Sequence, residues 1–436
     1  MKHFDGRVPE GAEAPVRRSY ALYVFFLCFF LMLLDYMARQ VVVSMFPVLK
    51  AQWGLSDTRL GALVSAVSLA VGVLSVPLAV VADRYSRVKA IAVMAIVWSA
   101  ATAAGALART YEQLLVARFL VGVGEAAYGA AAASLISSVF PVRQRSAAIG
   151  SFMSAALFGS VLGVVIGGAV GPKYGWQAGF WIVGIPGLVL AVLIFFLRDS
   201  NTSDLRANAS ATRMGFLEAV AEMFRSRSVL AAYAANGILV FVLGTMTAWL
   251  PTFFNRVYGL PVRASSFRAA GIILAAGVGS SLCGFVVDRL TRNNRKALFV
   301  GSAAIATGVA LVLGGAFQMG PGPLQYTMIL IGSVGLAGTQ GPMMSAIISR
   351  VHPGVRSTAL AVLAVVQNII GLGAGGLITG ILSDRLGIAH ALAIVPLMAF
   401  VSAGFYVWGA RCYESELQSE QAPRPVPVML APAAES

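Results

Sequence analysis

Long apolar runs separated by short polar segments dominate the chain. Stretches free of Asp, Glu, Lys and Arg cover residues 60–82, 90–108, 146–172, 174–197, 228–255, 269–287, 357–383 and 386–410. A membrane helix needs about 20 mostly apolar residues, so each stretch predicts one span. The stretch 297–349 is far too long for one, and Gly320-Pro321-Gly322-Pro323 marks a turn that divides it into two. Two further apolar segments carry charge: 19–49, with Asp35 and Arg39, and 111–140, with Arg118 and Glu125. The pattern predicts an all-α membrane protein of twelve transmembrane helices, spans 1–12 in chain order, with the charged ones first and fourth. The polar segments divide it into an N-tail (1–18), a six-helix bundle (19–197), a linker (198–227), a second six-helix bundle (228–410) and a C-tail (411–436). Pro423, Pro425, Pro427 and Pro432 predict that this tail is disordered.

Composition removes the other classes. The chain is 58% hydrophobic and 11% charged, whereas a soluble domain carries about 25% charged residues. It cannot cover its outside with polar groups, which excludes a soluble enzyme, a disordered chain and a secreted disulfide scaffold. Cys28, Cys283 and Cys412 lie far apart, which argues against a disulfide framework or a cysteine metal site. The net charge of +14 could suggest nucleic acid, but its distribution argues otherwise. With both termini in the cytoplasm, 22 of the 32 basic residues fall in cytoplasmic segments, 8 in outer loops and 2 in the membrane. Positive charge inside is a topology signal, so no nucleic-acid partner is expected. Asn201 and Asn208 begin glycosylation patterns but lie in a cytoplasmic segment, where they are inert. No small-residue cleavage site follows the first apolar run, so it is read as span 1. Short loops and the lack of an organellar address predict a bacterial inner membrane. No H-E-x-x-H, G-x-S-x-G or phosphate-binding loop occurs. Neither enzymatic activity nor a cofactor or metal is expected, and ATP is excluded as the energy source.

The chain also repeats itself. Asp83-Arg84 ends span 2 and Asp288-Arg289 ends span 8. Arg145-Ser146-Ala147-Ala148 opens span 5 and Arg356-Ser357-Thr358-Ala359 opens span 11. Within those spans Gly159, Gly163 and Gly168 align with Gly371, Gly375 and Gly380. Six helices twice in one orientation form a parallel repeat, the layout of transporters whose halves rock about a central site.

Twelve spans, this repeat and a basic loop after span 2 resemble the major facilitator superfamily. The loop has Asp83, Arg84, Arg87 and Lys89 where the family pattern is G-x-x-x-D-R-x-G-R-R/K, with Ala79 and Ser86 in place of glycines. The second copy has Gly284, Asp288 and Arg289, followed by Arg292, Arg295 and Lys296. Within the superfamily the chain is similar to the Spinster branch. Asp35-Tyr36-Met37-Ala38-Arg39 is close to N-Y-x-D-R, and residues 117–126 are close to A-R-x-x-x-G-x-G-E-A. The segment from Gly175-Trp176 to Gly187 is a third match. Span 1 is also similar to organic-anion symporters. One departure stands out: Ala38 replaces the Asp that precedes the span 1 arginine, while Asp35 stands where Asn is common. Whether Asp35 supplies the missing charge, and whether Ala38 is natural or engineered, stay open.

The resemblance implies a monomeric secondary transporter working by alternating access, coupled to protons, in the lipid bilayer. Its cargo would be an anionic amphipath such as a lysophospholipid or sphingolipid-like molecule. The alternatives are a proton-coupled small organic anion symporter and a multidrug efflux transporter. In this fold spans 1 and 4 line the cavity of the first half, so Asp35, Arg39, Arg118 and Glu125 would converge there. Charge at membrane depth is costly and marks functional sites. A carboxyl caught between burial and an arginine can titrate near neutral pH, so these four are candidates for proton coupling, Glu125 foremost. The second half carries neutral polar residues instead. Asn236, Thr245, Gln340, Gln367 and Asn368, with Arg39, Tyr36 and Glu125, are candidates to bind substrate. An apolar tail would lie against residues such as Phe241 and Trp249. Asp83, Arg84, Arg145, Asp288, Arg289 and Arg356 are candidates for a cytoplasmic gate.

Overall fold

The computed structural model describes residues 17–84, 86–197, 226–291, 296–351 and 355–421. The described elements are all helical. Spans 1 to 3 are Arg18–Ser44, Asp57–Arg84 and Arg87–Ala106, with a short helix Phe46–Trp53 after the first. Span 4 comprises Tyr111–Glu125 and Tyr128–Val139, and spans 5 and 6 are Val142–Tyr174 and Trp176–Phe195. Spans 7 to 9 are Arg227–Arg256, Val262–Thr291 and Lys296–Ala316. Span 10 comprises Pro323–Val334 and Gln340–Arg350. Span 11 runs Arg356–Val366, widens into a π-helix over Gln367–Gly373 and continues as Ala374–Leu386. Span 12 runs from Ile388 through a 3-10 turn at Val395–Leu397 to Gln421. Eleven of these stretches are long and apolar enough to cross a membrane, and Pro323–Val334 is a shorter apolar helix that precedes Gln340–Arg350.

Local chemistry sets the helix starts. Ser86, Thr110 and Ser226 accept backbone N–H bonds from Lys89, Gln113 and Val229, capping spans 3, 4 and 7. The 5–6 and 11–12 junctions each turn on a glycine with positive φ, Gly175 at 83° and Gly387 at 82°. These two are 212 positions apart, the same shift as the glycines of spans 5 and 11.

Those glycines make equivalent contacts in the two halves. A Cβ on Gly159 or Gly163 would strike the carbonyls of Leu33 or Met37 in span 1, and one on Gly168 would strike Ser266 in span 8. A Cβ on Gly371 or Gly375 would strike Val240 or the carbonyl of Phe241 in span 7, and one on Gly380 would strike the carbonyl of Asp57 in span 2. Spans 5 and 11 thus pack against their own half with two glycines and against the other half with the third. The register of the repeat is a set of close backbone approaches.

An even number of spans puts both termini at one end, the terminal face. At the opposite, far face the halves meet. Arg256 of span 7 binds Asp57 of span 2 through two hydrogen bonds of 2.6 and 2.8 Å. Lys50 and the Ser383 hydroxyl also donate to the Asp57 carboxylate. Asp384 of span 11 accepts the N–H groups of Asp57 and Thr58 at 2.7 and 2.8 Å.

Two sequence expectations change. The tail does not begin at residue 411, because span 12 continues as helix to Gln421. Glu416 holds it there by accepting from Ser226, Ser228 and Arg350, and Glu414 pairs with Lys296. Residues 422–436, most of the 198–227 linker, and the N-tail to residue 16 lie outside the described residues. Trp249 and Phe241, expected along an apolar tail, are buried in the second half. The Trp249 indole donates to the Gly376 carbonyl and packs on Phe46.

Candidate functional site

Between the two halves lies a cavity of about 820 Å³. Asp35, Tyr36, Arg39 and Gln40 of span 1 and Glu125 of span 4 form its charged end. Its walls are mostly aliphatic, with Val71, Val76 and Leu157 from the first half and Val240, Leu243 and Ile273 from the second. Toward the terminal face it reaches Ala79 of span 2 and Thr358 of span 11.

The i, i+4 spacing of Asp35 and Arg39 puts both on one face of span 1. Arg39 Nη2 lies 2.7 Å from Glu125 Oε2, and the Glu125 side chain is fully shielded from solvent. The Arg39 guanidinium also sits over the Tyr36 ring, 5.3 Å from its centre. Neither Glu125 oxygen accepts a well-directed hydrogen bond, so this carboxyl is held by charge. The Asp35 carboxyl lines the same end of the cavity. Two carboxylates are both acceptors, so a bond between them would require a proton on one.

Arg118 is placed differently. It is buried outside the wall of the large cavity, and its guanidinium donates to backbone carbonyls rather than to a carboxylate. Nη1 donates to Ala38 at 2.8 Å, Nη2 to Arg39 at 3.4 Å and Nε to Leu63 at 3.5 Å. It clamps spans 1 and 2 just beyond the ion pair. Ala38 is itself fully buried and presents its carbonyl to this clamp.

On the second half Gln340, Gln367, Asn368 and Thr247 line the cavity. Asn236 and Thr245 do not. Asn236 is fully buried behind the wall and accepts from Gln367 Nε2 at 2.8 Å. Thr245 donates to the Gly375 carbonyl at 3.2 Å and lies 2.9 Å from the Thr379 hydroxyl, so it fastens span 7 to span 11. Both were expected at the substrate. Packing between helices claims them because a small polar group buried at a helix contact finds its partner there. Thr247 belongs to the same set of neutral polar residues on span 7 as Asn236 and Thr245, and it is the one of the three that lines the cavity.

The candidate gate is described in part. The side chains of Asp83, Arg84 and Asp288 lie outside the described residues. Arg145 Nε donates to the Phe140 carbonyl at 3.0 Å, while Arg289 and Arg356 are exposed near the terminal face.

A family model, the Major Facilitator Superfamily, matches residues 28–375. The chain belongs to the Major Facilitator Superfamily. This superfamily member is 29% identical over 405 residues to a probable 4-methylmuconolactone transporter of Cupriavidus pinatubonensis, covering 87% of this chain and 88% of that one. It is 28% identical over 394 residues to protein spinster homolog 1 of Homo sapiens, covering 84% of this chain and 73% of the relative. Its fold matches a bacterial homolog of the human lysosomal transporter Spinster in an inward-facing, unoccupied conformation. The TM-score is 0.80 at 21% identity, with 92% of this chain and 98% of the other covered. It is an integral multi-pass membrane protein and a transporter, with the Spinster resemblance read from spans 1 and 4.

Proposed function

We propose that this transporter couples protons to the movement of an organic anion with a bulky apolar body, an anionic amphipath of the lysophospholipid kind. The observation that carries this reading is the one-sided charge. Asp35, Arg39 and Glu125 occupy one end of a cavity whose second half offers only amides, two hydroxyls and aliphatic surface. Arg39 is the head-group cation. Glu125 competes for it while ionised and releases it when a proton settles between Glu125 and Asp35. Proton and anion then enter together, because each removes the other's repulsion or competitor. The aliphatic walls take the body, and Gln340, Gln367, Asn368 and Thr247 take its uncharged polar groups. The distribution of basic residues supports a cytoplasmic terminal face, and with the far face sealed we read this as the inward-facing state of an inner-membrane monomer. Asp83, Arg84, Asp288, Arg289, Arg145 and Arg356 close the cytoplasmic side in the other state.

A second reading, a small organic anion as cargo, is supported by the 4-methylmuconolactone transporter, whose similarity covers almost the whole chain. Proteoliposome uptake tests both. Labelled lysophosphatidylglycerol and labelled muconolactone-type carboxylates are compared with and without an imposed pH gradient, in the native protein and in Glu125→Gln. Gradient-driven uptake of the lysolipid that loses its pH dependence in Glu125→Gln is expected. Uptake that ignores both the gradient and the mutation would refute the coupling. Uptake of the small carboxylate alone would transfer the cargo assignment to the second reading.

A further inference from the structure

Beyond the ion pair, away from the large cavity, lies a second and much smaller one of about 40 Å³. Arg39, Gln40, Thr247 and Leu372 line both cavities, so the small one adjoins the large one on the side of the far face. Arg118 and Ser68 line the small one alone. Two guanidinium groups therefore border one small space. Among the described residues, no carboxylate lies within ion-pairing distance of Arg118. Three of its five N–H groups reach backbone carbonyls, two of them at 3.4 and 3.5 Å, which are long bonds. Arg39 spends Nη2 on Glu125, and its buried Nε meets no acceptor in the protein. A buried charged donor without an acceptor is costly to leave so. Gln40 adds a neutral amide on the same walls, while the Thr247 hydroxyl is turned to the Leu243 and Gly244 carbonyls of its own helix.

From this geometry we infer that the small cavity is an anion site. It takes a monovalent group of halide or carboxylate size, held between Arg39 and Arg118. The volume sets the limit, because 40 Å³ is on the order of one or two water molecules. The walls set the sign, because two guanidinium groups border the space. The anionic group has two sources, a free small anion such as chloride or the carboxylate of a small organic-anion cargo. In the second case the site deepens the second reading of the proposed function, on which that case rests. The cargo's charged tip would pass Arg39 and seat beyond it, leaving its body in the large cavity. Thr247 and Leu372 come from the second half, so an occupied site would touch both halves across the seam.

The test uses the full chain in detergent, titrated with chloride, acetate, inorganic phosphate or isethionate at constant ionic strength while Tm is followed. Anything that binds only the folded state raises Tm saturably. The expected result is a saturable upward shift with acetate, none with isethionate, and loss of the shift in Arg118→Gln. Arg118 also clamps three carbonyls, so Ser68→Val serves as a second variant that narrows the cavity and leaves both arginines. A shift with chloride as well as acetate identifies a free small-anion site, and acetate without chloride identifies the cargo's carboxylate. Equal shifts with all four anions, a shift with phosphate alone, or a shift that survives in Ser68→Val would overturn the site. If the shift is absent while uptake still follows the pH gradient, the anion site fails alone. If it is present and the gradient has no effect, proton coupling fails alone.

Discussion

Asp35 and Ala38 lie three positions apart, about one turn of span 1, yet they meet different surroundings. Asp35 lines the large cavity with Glu125, whereas Ala38 lines neither cavity and gives its carbonyl to Arg118. A carboxyl one turn away from the family position can therefore still serve the same partner. Asp35→Asn keeps the shape and removes the charge. It is expected to abolish pH dependence of uptake as fully as Glu125→Gln, by about tenfold or more in proton-driven rate, the size of a one-unit change in proton affinity. A pH profile of uptake decides it, and an unaltered profile would detach Asp35 from coupling. Ala38→Asp is expected to bring no gain in uptake, because its carboxyl would enter a fully buried space already occupied by the Arg118 clamp.

At the scale of elements, the spans were legible because lipid demands long charge-free runs, and the repeat was legible because helix contact demands glycine at fixed intervals. Asp35, Arg39 and Glu125 were legible for the same reason, since charge at membrane depth needs a partner. Neutral residues were not. Asn236 and Thr245 look like Gln367 and Thr247 in sequence, and only packing separates the wall from what stands behind it. The π-helix at Gln367–Gly373 and the break between Val334 and Gln340 also left no clear signal. Both irregular stretches border the cavity, and a buried polar cluster ties them from behind. Gln367 donates to Asn236, and the Tyr406 hydroxyl bonds Thr339 at 3.0 Å next to Gln340. Tyr406→Phe leaves the buried Thr339 hydroxyl short of a partner and is expected to cost about 1–3 kcal/mol. Thermal unfolding measures that loss. The lysolipid KM should rise with pH dependence retained, because the cluster supports the amides and not the proton site. A stability equal to that of the native protein would remove the cluster from this supporting role.

The molecule as a whole is held in one of its states by the far-face network. An acid from each half does the work. Asp57, buried in the first half, takes Arg256 and Ser383 from the second. Asp384 of the second half caps the first turn of span 2, where the helix dipole favours negative charge. Opening the far face breaks all of these at once, whereas the π-helix, the span breaks and the cavity amides can persist within each half. Asp57→Asn removes the charge that Arg256 and Lys50 share and leaves a bidentate arginine without its partner. Breaking a largely buried pair costs about 3 kcal/mol, which corresponds to a change of on the order of a hundredfold in the ratio of the two states. The change should favour the state with the far face open. With Cys28, Cys283 and Cys412 replaced, a single cysteine at Thr247→Cys reports which side reaches the cavity. In right-side-out vesicles, a membrane-impermeant thiol reagent should label this reporter faster in Asp57→Asn than in the parent. Equal labelling rates would mean that the close helix contacts at Gly61 and Gly380, and not the charges, keep the far face shut.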